Sequence, residues 1–314
     1  MEQRTAGEGG GLRAGAGAAV MAAAVISIAL DLIGHETLSL IALAVGAAWW
    51  VLLAAAFVMM LTRDRGAWVE VSGTPPALTA VAATSVLGTR LAVLGWLDTA
   101  AAMLALAVLF WPGLTVRVMR RLHRGMPGAV FLIAVPAQAI SVLAARLSLG
   151  YGSGWLGSAA LGCFCLGLTL YVLALLYFDF RQVLTGAGDQ WVAGGALAIA
   201  ALECSTLLSS PQWTGGAHKM LHTVGLVLLA VTSAWYVVLL AAEIYRPRLR
   251  YDVRRWSTVF PLGMMAAATL SLSTTLGIAW LEPLGRALVW VALGMWLVTF
   301  AALLRTLPRA PARG

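Results

Sequence analysis

Residues 40–61 read LIALAVGAAWWVLLAAAFVMML, a run with no polar side-chain group except the indole NH groups of Trp49 and Trp50. About 20 such residues are enough to cross the hydrocarbon core of a bilayer as an α-helix. The segment before it, AGAGAAVMAAAVISIALDLIG at 14–34, is similar in length but contains Ser27 and Asp31. A bare apolar segment therefore follows an apolar segment that carries polar groups.

The same alternation continues through ten apolar segments, which we interpret as transmembrane helices. Polar residues occur in the odd segments, and the even segments are nearly free of them. The predicted spans are 14–34, 38–61, 77–97, 99–116, 128–148, 155–178, 190–209, 219–244, 257–280 and 284–305. Polar side chains inside a membrane usually face protein or water, because contact with lipid is costly. We therefore predict an all-α integral membrane protein, with ten transmembrane helices arranged as five hairpins around a central pore, odd helices inside and even helices outside.

The composition agrees with a polytopic membrane protein. Hydrophobic residues make up 61% of the chain and charged residues 11%, and the mean hydropathy is +0.89, outside the range of soluble globular domains. The three cysteines lie in apolar segments, so a disulfide framework is not indicated. No P-loop is present and the connections are short, which excludes an ATP-driven pump with its motor domain in this polypeptide. No cofactor or metal site is expected.

Basic residues predict the orientation, because cytoplasmic loops keep an excess of Lys and Arg. With the N-terminus inside, only Arg90, Arg146, Lys219 and Arg286 fall on the other side or in the outer half of the membrane. The cytoplasmic set is Arg4, Arg13, Arg63, Arg65, Arg117, Arg120, Arg121, Arg124, Arg181, Arg246, Arg248, Arg250, Arg254, Arg255, Arg305, Arg309 and Arg313. We therefore predict a multi-pass protein of the inner (plasma) membrane with both termini in the cytoplasm.

This topology also defines the expected parts of the chain and its partners. Residues 1–13 are predicted to be a short disordered cytoplasmic lead, 14–305 the transmembrane domain, and 306–314 a cytoplasmic tail. The net charge of +8 is explained by the topology and by anionic lipid headgroups. It therefore gives no support for a nucleic-acid partner.

The ninth segment has a readable helical face. At a spacing near 3.6 residues, one stripe contains Phe260, Met264, Ala267, Ser271 and Thr274. Pro261 removes one backbone hydrogen bond and bends a helix. From these residues alone the segment is either a proline-kinked packing helix with Phe260 in the bundle or one wall of a pore.

Four charged residues are expected in the outer half of the membrane, on four different odd helices: Asp31, Arg90, Arg146 and Glu203. An isolated charge at mid-bilayer costs roughly 3 kcal/mol on insertion scales, so pairing is expected. One interpretation is a fixed salt bridge, such as Arg90 with Glu203. Another is an outer vestibule in which Arg90 and Arg146 attract anions. A third makes Asp31 or Glu203 a proton-coupling site.

Several segments resemble the tellurite-resistance/dicarboxylate transporter family, which includes the plant slow-type anion channels. RWSTVFPLGMMAAATLSL at 255–272 is similar to the Phe-Pro-Leu-Gly segment of that family. The supporting segments are VMAAAVISIAL at 20–30, VLGTRLAVLG at 86–95, VPAQAISVLAARL at 135–147 and GDQWVAGGALAIAAL at 188–202. Together they span most of the chain in the order found in the family.

The resemblance implies a ten-helix fold, a pore lined by odd helices, a homotrimer with one pore per subunit, and channel-like or proton-linked movement of small anions. It also implies that Phe260, immediately before Pro261, closes the pore as a gate. The residues expected to line the pore are Ser27, Ser85, Thr89, Gln138, Ser141, Gly195, Ile199, Met264, Ala267, Ser271 and Thr274. One departure is Glu203, whose negative charge is unexpected beside an anion path.

The competing hypothesis is a membrane-embedded enzyme, for example a lipid-modifying transferase. Such an enzyme needs a nucleophile or metal cluster near one membrane face. The four histidines are divided between the two sides, and His218 and His222 have helical metal-site spacing but no evident carboxylate ligand nearby. We therefore expect transport rather than catalysis. The sequence does not distinguish between C4-dicarboxylates, tellurite-related species, chloride, nitrate and sulfite as the transported anion.

Overall fold

Long α-helices form almost the whole of the computed structural model, which describes residues 2–248 and 252–306, with side chains from residue 17 onward. We label the long helices α1–α10 in chain order. They are α1 Glu2–Leu32, α2 Glu36–Arg63, α3 Leu78–Val93, α4 Leu97–Met119, α5 Val135–Tyr151, α6 Gly154–Tyr177, α7 Val192–Leu208, α8 Gly215–Tyr245, α9 Trp256–Leu276 and α10 Leu281–Thr306. Two short helices, Arg65–Val71 and Gln182–Thr185, lie in the predicted connections.

Nine helices within the described ranges are long and apolar enough to cross a membrane. In α1 the apolar helical part is Gly17–Leu32, which is shorter than a span. The protein is therefore a multi-pass membrane protein by the length and composition of its helices. The tenth span stays a prediction.

The first helix begins earlier than the sequence predicted. Residues 2–13 are helical backbone continuous with α1, which differs from the disordered lead expected there, and the division of the chain at residue 13 stays a prediction. At the other end, residues 307–314 of the predicted tail lie outside the described residues.

Burial follows the alternation of polar and bare segments. The span that contains α7 is buried along its whole apolar window, whereas 17% of the α2 window is buried. Long apolar side chains on the even helices are exposed, including Leu52, Leu109 and Val237. Because these side chains would be costly to expose to water, the even helices supply the lipid-facing surface.

The buried helices contact one another in a closed order. Helix α1 packs on α3, α3 on α5, α5 on α7, α7 on α9, and α9 again on α1. Each even helix packs on the odd helix that precedes it. Turns of 3-10 helix precede α3, α5, α7 and α9, at Pro75–Ala77, Gly128–Ile133, Asp189–Trp191 and Val253–Arg255. The C-terminal ends of all five odd helices lie together at the predicted extracellular end.

Close contact between α1 and α9 depends on a glycine in the Phe-Pro-Leu-Gly segment. A Cβ atom at Gly263 would lie 2.6 Å from Cγ1 of Val25, a distance too short for two carbon atoms. Small residues let helix backbones approach in this way. The glycine therefore fixes the distance between the first and last of the buried helices.

Candidate functional site

A cavity of about 110 Å³ lies at the predicted extracellular end of the bundle. All five odd helices contribute to its lining. The polar residues that line it are Asp31 of α1, Thr89 and Arg90 of α3, Arg146 of α5, Thr206 of α7 and Ser271 of α9. A water molecule takes about 30 Å³ of liquid, so the volume suits a few waters or one small ion.

Arg90 is fully buried and holds three helices together at this cavity. Its Nη2 donates to Asp31 Oδ1 at 2.8 Å and to Ser39 Oγ at 3.0 Å. Its Nε donates to Ser27 Oγ at 3.2 Å, and Ser39 Oγ in turn donates to the Ser27 carbonyl at 2.7 Å. The buried guanidinium is thus matched by one carboxylate and two hydroxyl groups. The partner of Arg90 is Asp31, and the alternative pairing with Glu203 was wrong.

Three donors at the cavity have no hydrogen-bond partner within the described part of the protein. They are Nη1 of Arg90, Nε of Arg146 and the hydroxyl of Ser271, and each of these three atoms is buried. Arg146 forms no salt bridge with any described residue. Two guanidinium groups and one carboxylate leave the cavity with one net positive charge. Buried donors without partners are costly, so these groups need an acceptor, which water or an anion in the cavity can supply.

Glu203 lies outside this cavity, although the sequence placed it with the other three charges. Leu202 and Thr206, one helical turn apart on α7, line the cavity. A residue one position along a helix is turned by about 100°, so Glu203 points to another face. There its carboxylate contacts the hydroxyl of Ser141, which also contacts the Ala160 carbonyl of α6. The carboxylate therefore does not face an anion in the cavity.

Phe260 lies deeper in the bundle and is 2% exposed. From this ring the stripe continues through Met264 and Ala267, both buried, to Ser271 at the cavity. Ser271 lies eleven positions after Phe260 on the helix, a rise of about 17 Å. The fifth residue of the stripe, Thr274, is exposed beyond the cavity.

Pro261 is held from two sides. The hydroxyl of Tyr236 on α8 donates to the Pro261 carbonyl. On the other side, a Cβ atom at Gly195 would lie 2.9 Å from Cγ of Pro261. Gly195 is therefore required for close packing of α7 on the proline turn of α9. Tyr236 was missed by the sequence analysis, because α8 was treated as an outer helix without functional residues.

The remaining residues expected to line a pore have varied surroundings. Thr89 lines the cavity and donates to the Ser85 carbonyl at 2.9 Å, and Ser85 donates to the Val81 carbonyl at 3.1 Å. Gln138 packs against α6, because a Cβ atom at Gly167 would lie 2.6 Å from its Cγ. Ile199 is 1% exposed. Ser27 accepts a hydrogen bond from Arg90. Ser39 of α2, which contacts both Ser27 and Arg90, was missed by the sequence analysis because the apolar run without polar side chains starts one residue later, at Leu40.

Gly195→Ala is expected to destabilise the protein by about 1–3 kcal/mol, the usual cost of overpacking a well-filled core. The added methyl group would press on Pro261 and separate α7 from α9. Thermal unfolding in detergent measures the effect as a lower midpoint. Gly162→Ala is the matched control, because no atom lies within 4 Å of its added Cβ, and we expect its midpoint to be unchanged or slightly raised. Equal midpoints for the two variants would contradict the packing role.

Comparisons with known proteins relate the chain to a family of membrane proteins. A family model described as the voltage-dependent anion channel matches residues 12–304. The chain is also similar to a protein named "Uncharacterized membrane protein" in Mycobacterium tuberculosis, found in strains CDC 1551 and H37Rv. In each strain the identity is 34% over 151 residues, which covers 44% of this chain and 74% of the relative.

Proposed function

Because the chain belongs to the voltage-dependent anion channel family, we propose that it moves small anions through the centre of its ring of odd helices. The family resemblance carried by the Phe-Pro-Leu-Gly segment agrees with the same assignment. Members of this family are channels or transporters, so the enzyme hypothesis ranks second.

The cavity at the predicted extracellular end is the observation that carries the proposal. It combines one net positive charge with donors on Arg90, Arg146 and Ser271 that lack partners among the described residues. Positive charge in a low-dielectric cleft raises the local concentration of anions. A cavity with these groups at the mouth of a helical ring would capture anions before they enter the apolar part of the path.

The charge of the cavity favours monovalent anions over C4-dicarboxylates. Asp31 already neutralises Arg90 at 2.8 Å, so the remaining charge is that of Arg146. One bound monovalent anion would make the cavity neutral, whereas a dicarboxylate would leave an excess negative charge beside Asp31. Chloride and nitrate are therefore the first anions to test, with malate and succinate as the comparison.

We further propose that the ring is five hairpins around a central path, with ten spans including α1 and with Phe260 as the gate. The closed order of contacts among odd helices supports the ring. The stripe from Phe260 to Ser271 supports a route that runs from an aromatic barrier to the cavity. Hydrophobic constrictions close channels by excluding water, which is the role we assign to Phe260 on the Pro261 turn.

The membrane location, topology and oligomeric state that we propose follow from the charge distribution and the family resemblance. We propose that the protein lies in the plasma membrane with both termini in the cytoplasm, as the positive-inside rule requires. We also propose a homotrimer with one path in each subunit. The bound partners are then small anions and the lipid bilayer.

Reversal potentials of the purified, reconstituted protein across chloride, nitrate, sulfite, malate and succinate gradients test the function directly. A channel gives a current whose reversal potential follows the anion gradient alone. A proton-linked carrier shifts its reversal potential with an imposed pH gradient. Absence of anion flux under all these gradients, in protein that is folded and inserted, would reject anion transport.

Arg146→Gln is expected to lower anion conductance by roughly tenfold at low salt, at the lower end of electrostatic focusing effects, and by less at high salt. The substitution keeps a polar side chain but removes the uncompensated charge of the cavity. Single-channel current or liposome flux, recorded over a series of salt concentrations, measures the loss of conductance. Lys219→Gln is the control, because Lys219 is an exposed cation outside the cavity. Equal losses in both variants would show that surface charge, rather than the cavity, attracts the anion.

A further inference from the structure

An apolar groove runs along the lipid-facing surface between α2 and α4. Both helices pack on α3 rather than on each other, so α3 forms the floor of the groove. The walls carry Phe57 and Leu61 from α2 and Phe110 from α4, and Trp68 of the short helix Arg65–Val71 closes one end. The lined space has a volume of about 140 Å³.

The shape of the groove matches one hydrocarbon chain. The lining on α2 runs from Trp50 to Leu61, which is about 17 Å of helix at 1.5 Å per residue. One leaflet of a bilayer has a hydrocarbon depth of about 15 Å, half of the core thickness. The groove occupies the half of these helices next to the predicted cytoplasmic end, so its length and position fit an acyl chain of that leaflet.

The closed end of the groove is built by specific contacts. The rings of Phe57 and Trp68 meet edge to face with centroids 4.5 Å apart. Nη1 of Arg117 donates to Ser72 Oγ at 2.8 Å, and Nη1 of Arg121 donates to the Glu70 carbonyl at 3.2 Å. These bonds hold the short helix against the end of α4. Trp68 is thus fixed at the level where headgroups meet hydrocarbon, a position that tryptophan favours.

Positive charge surrounds this end of the groove. The exposed arginines near it are Arg63, Arg65, Arg117, Arg120, Arg121 and Arg124. None of the six forms a salt bridge with a residue that the structure describes, and the acidic residues among them are Asp64 and Glu70 only. This charge would repel the same surface of a second copy, whereas it attracts an anionic headgroup.

We propose that this groove binds one acyl chain of an anionic phospholipid from the cytoplasmic leaflet, with its phosphate held by the arginines around Trp68. The apolar walls select the chain, and the arginines select the charge of the headgroup. The inference does not depend on anion transport. It concerns a surface on α2 and α4 that is separate from the cavity.

Native mass spectrometry of the full-length protein with added lipids tests the proposal. We expect phosphatidylglycerol to be retained more strongly than phosphatidylcholine with the same chains. Each arginine near an anionic surface contributes about 1 kcal/mol, so Arg65→Gln should weaken phosphatidylglycerol retention by about fivefold. Arg181→Gln is the matched control, because Arg181 is an exposed arginine on another connection, and its retention should equal that of the unmodified protein.

A substitution inside the groove tests the position of the chain. Ala54 lines the groove, and its neighbour Ala55 is exposed on the same helix but outside the lining. We expect Ala54→Phe to lower retention of both lipids and Ala55→Phe to lower neither. Equal retention in all variants, or displacement of the lipid by inorganic phosphate alone, would overturn the proposal. A change in subunit number in Ala54→Phe without loss of lipid would assign the groove to a second copy and would also overturn it.

Discussion

Phe260→Ala should raise the anion conductance of the reconstituted protein by roughly tenfold or more. A tenfold change corresponds to about 1.4 kcal/mol of barrier. That is small beside the several kcal/mol that a polar group loses when it is buried without a partner, as an anion would be against a phenyl ring. Because Phe260 begins the stripe that ends at the cavity, removal of its ring would open the most apolar part of the proposed route.

The measurement is macroscopic current at a fixed anion gradient, normalised to the amount of inserted protein. Phe260→Leu keeps an apolar but shorter side chain and should raise conductance less than Phe260→Ala. Phe131→Ala is a second control, because Phe131 is equally buried but packs on Tyr171 and Phe178. If Phe131→Ala and Phe260→Ala raised conductance equally, general loosening of the bundle would explain the gain, and Phe260 would lose its role as gate.

Arg90→Met should destabilise the protein by about 2–3 kcal/mol, the range of hydrogen bonds to charged groups; the cost stays below that of breaking a fully buried pair, because the Asp31 side chain is 31% exposed. Asp31 would lose its counter-ion, and the hydroxyls of Ser27 and Ser39 would lose a shared donor. The result would be a large fall in the thermal unfolding midpoint in detergent and in the amount of folded protein recovered. The exposed pair of Arg286 and Glu282 provides the control, since exposed pairs contribute little.

A double substitution separates the contribution of the ion pair to stability from the contribution of side-chain packing. In Asp31→Asn with Arg90→Met, no unpaired carboxylate remains, and we expect part of the lost stability to return. A double variant no more stable than Arg90→Met alone would mean that the loss comes from the serine hydroxyls or from packing. An Arg90→Met protein with an unchanged unfolding midpoint would contradict the structural role of the ion pair.

The alternation of polar and bare segments predicted which helices would be buried, because the cost of placing a polar side chain against lipid is large for every residue concerned. It brought Asp31, Arg90 and Arg146 to the same end of the bundle, where the structure places them around one cavity. This part of the site depends on depth in the membrane, which follows from position in the sequence.

Rotation about the helix axis was harder to predict. Glu203 was assigned to the cavity by depth alone, and the structure turns it towards Ser141 on α5 instead. Its neighbours Leu202 and Thr206 occupy the cavity face. A helix with apolar residues on all sides, such as α7, offers no polar face from which its rotation could be read.

Side-chain partners between helices were not available from the sequence either. Arg90 had two carboxylates at similar depth, and only the positions of the helices decide that it pairs with Asp31. Ser39 joined the network from α2, a helix expected to face lipid. Glycine-rich sequence is typical of disorder, which is why residues 2–13 were not expected to form part of α1.

The network around Arg90 also restricts how the protein can move. It connects the C-terminal end of α1, the first turn of α2 and the end of α3 through a single guanidinium group. A transport cycle in which one part of the bundle rocks against another at this end would have to break the ion pair and its hydrogen bonds on every turnover. Movement of one aromatic side chain 17 Å away along α9 breaks none of these bonds. We therefore expect the outer end of the bundle to stay fixed during the proposed transport, and the moving part to be Phe260.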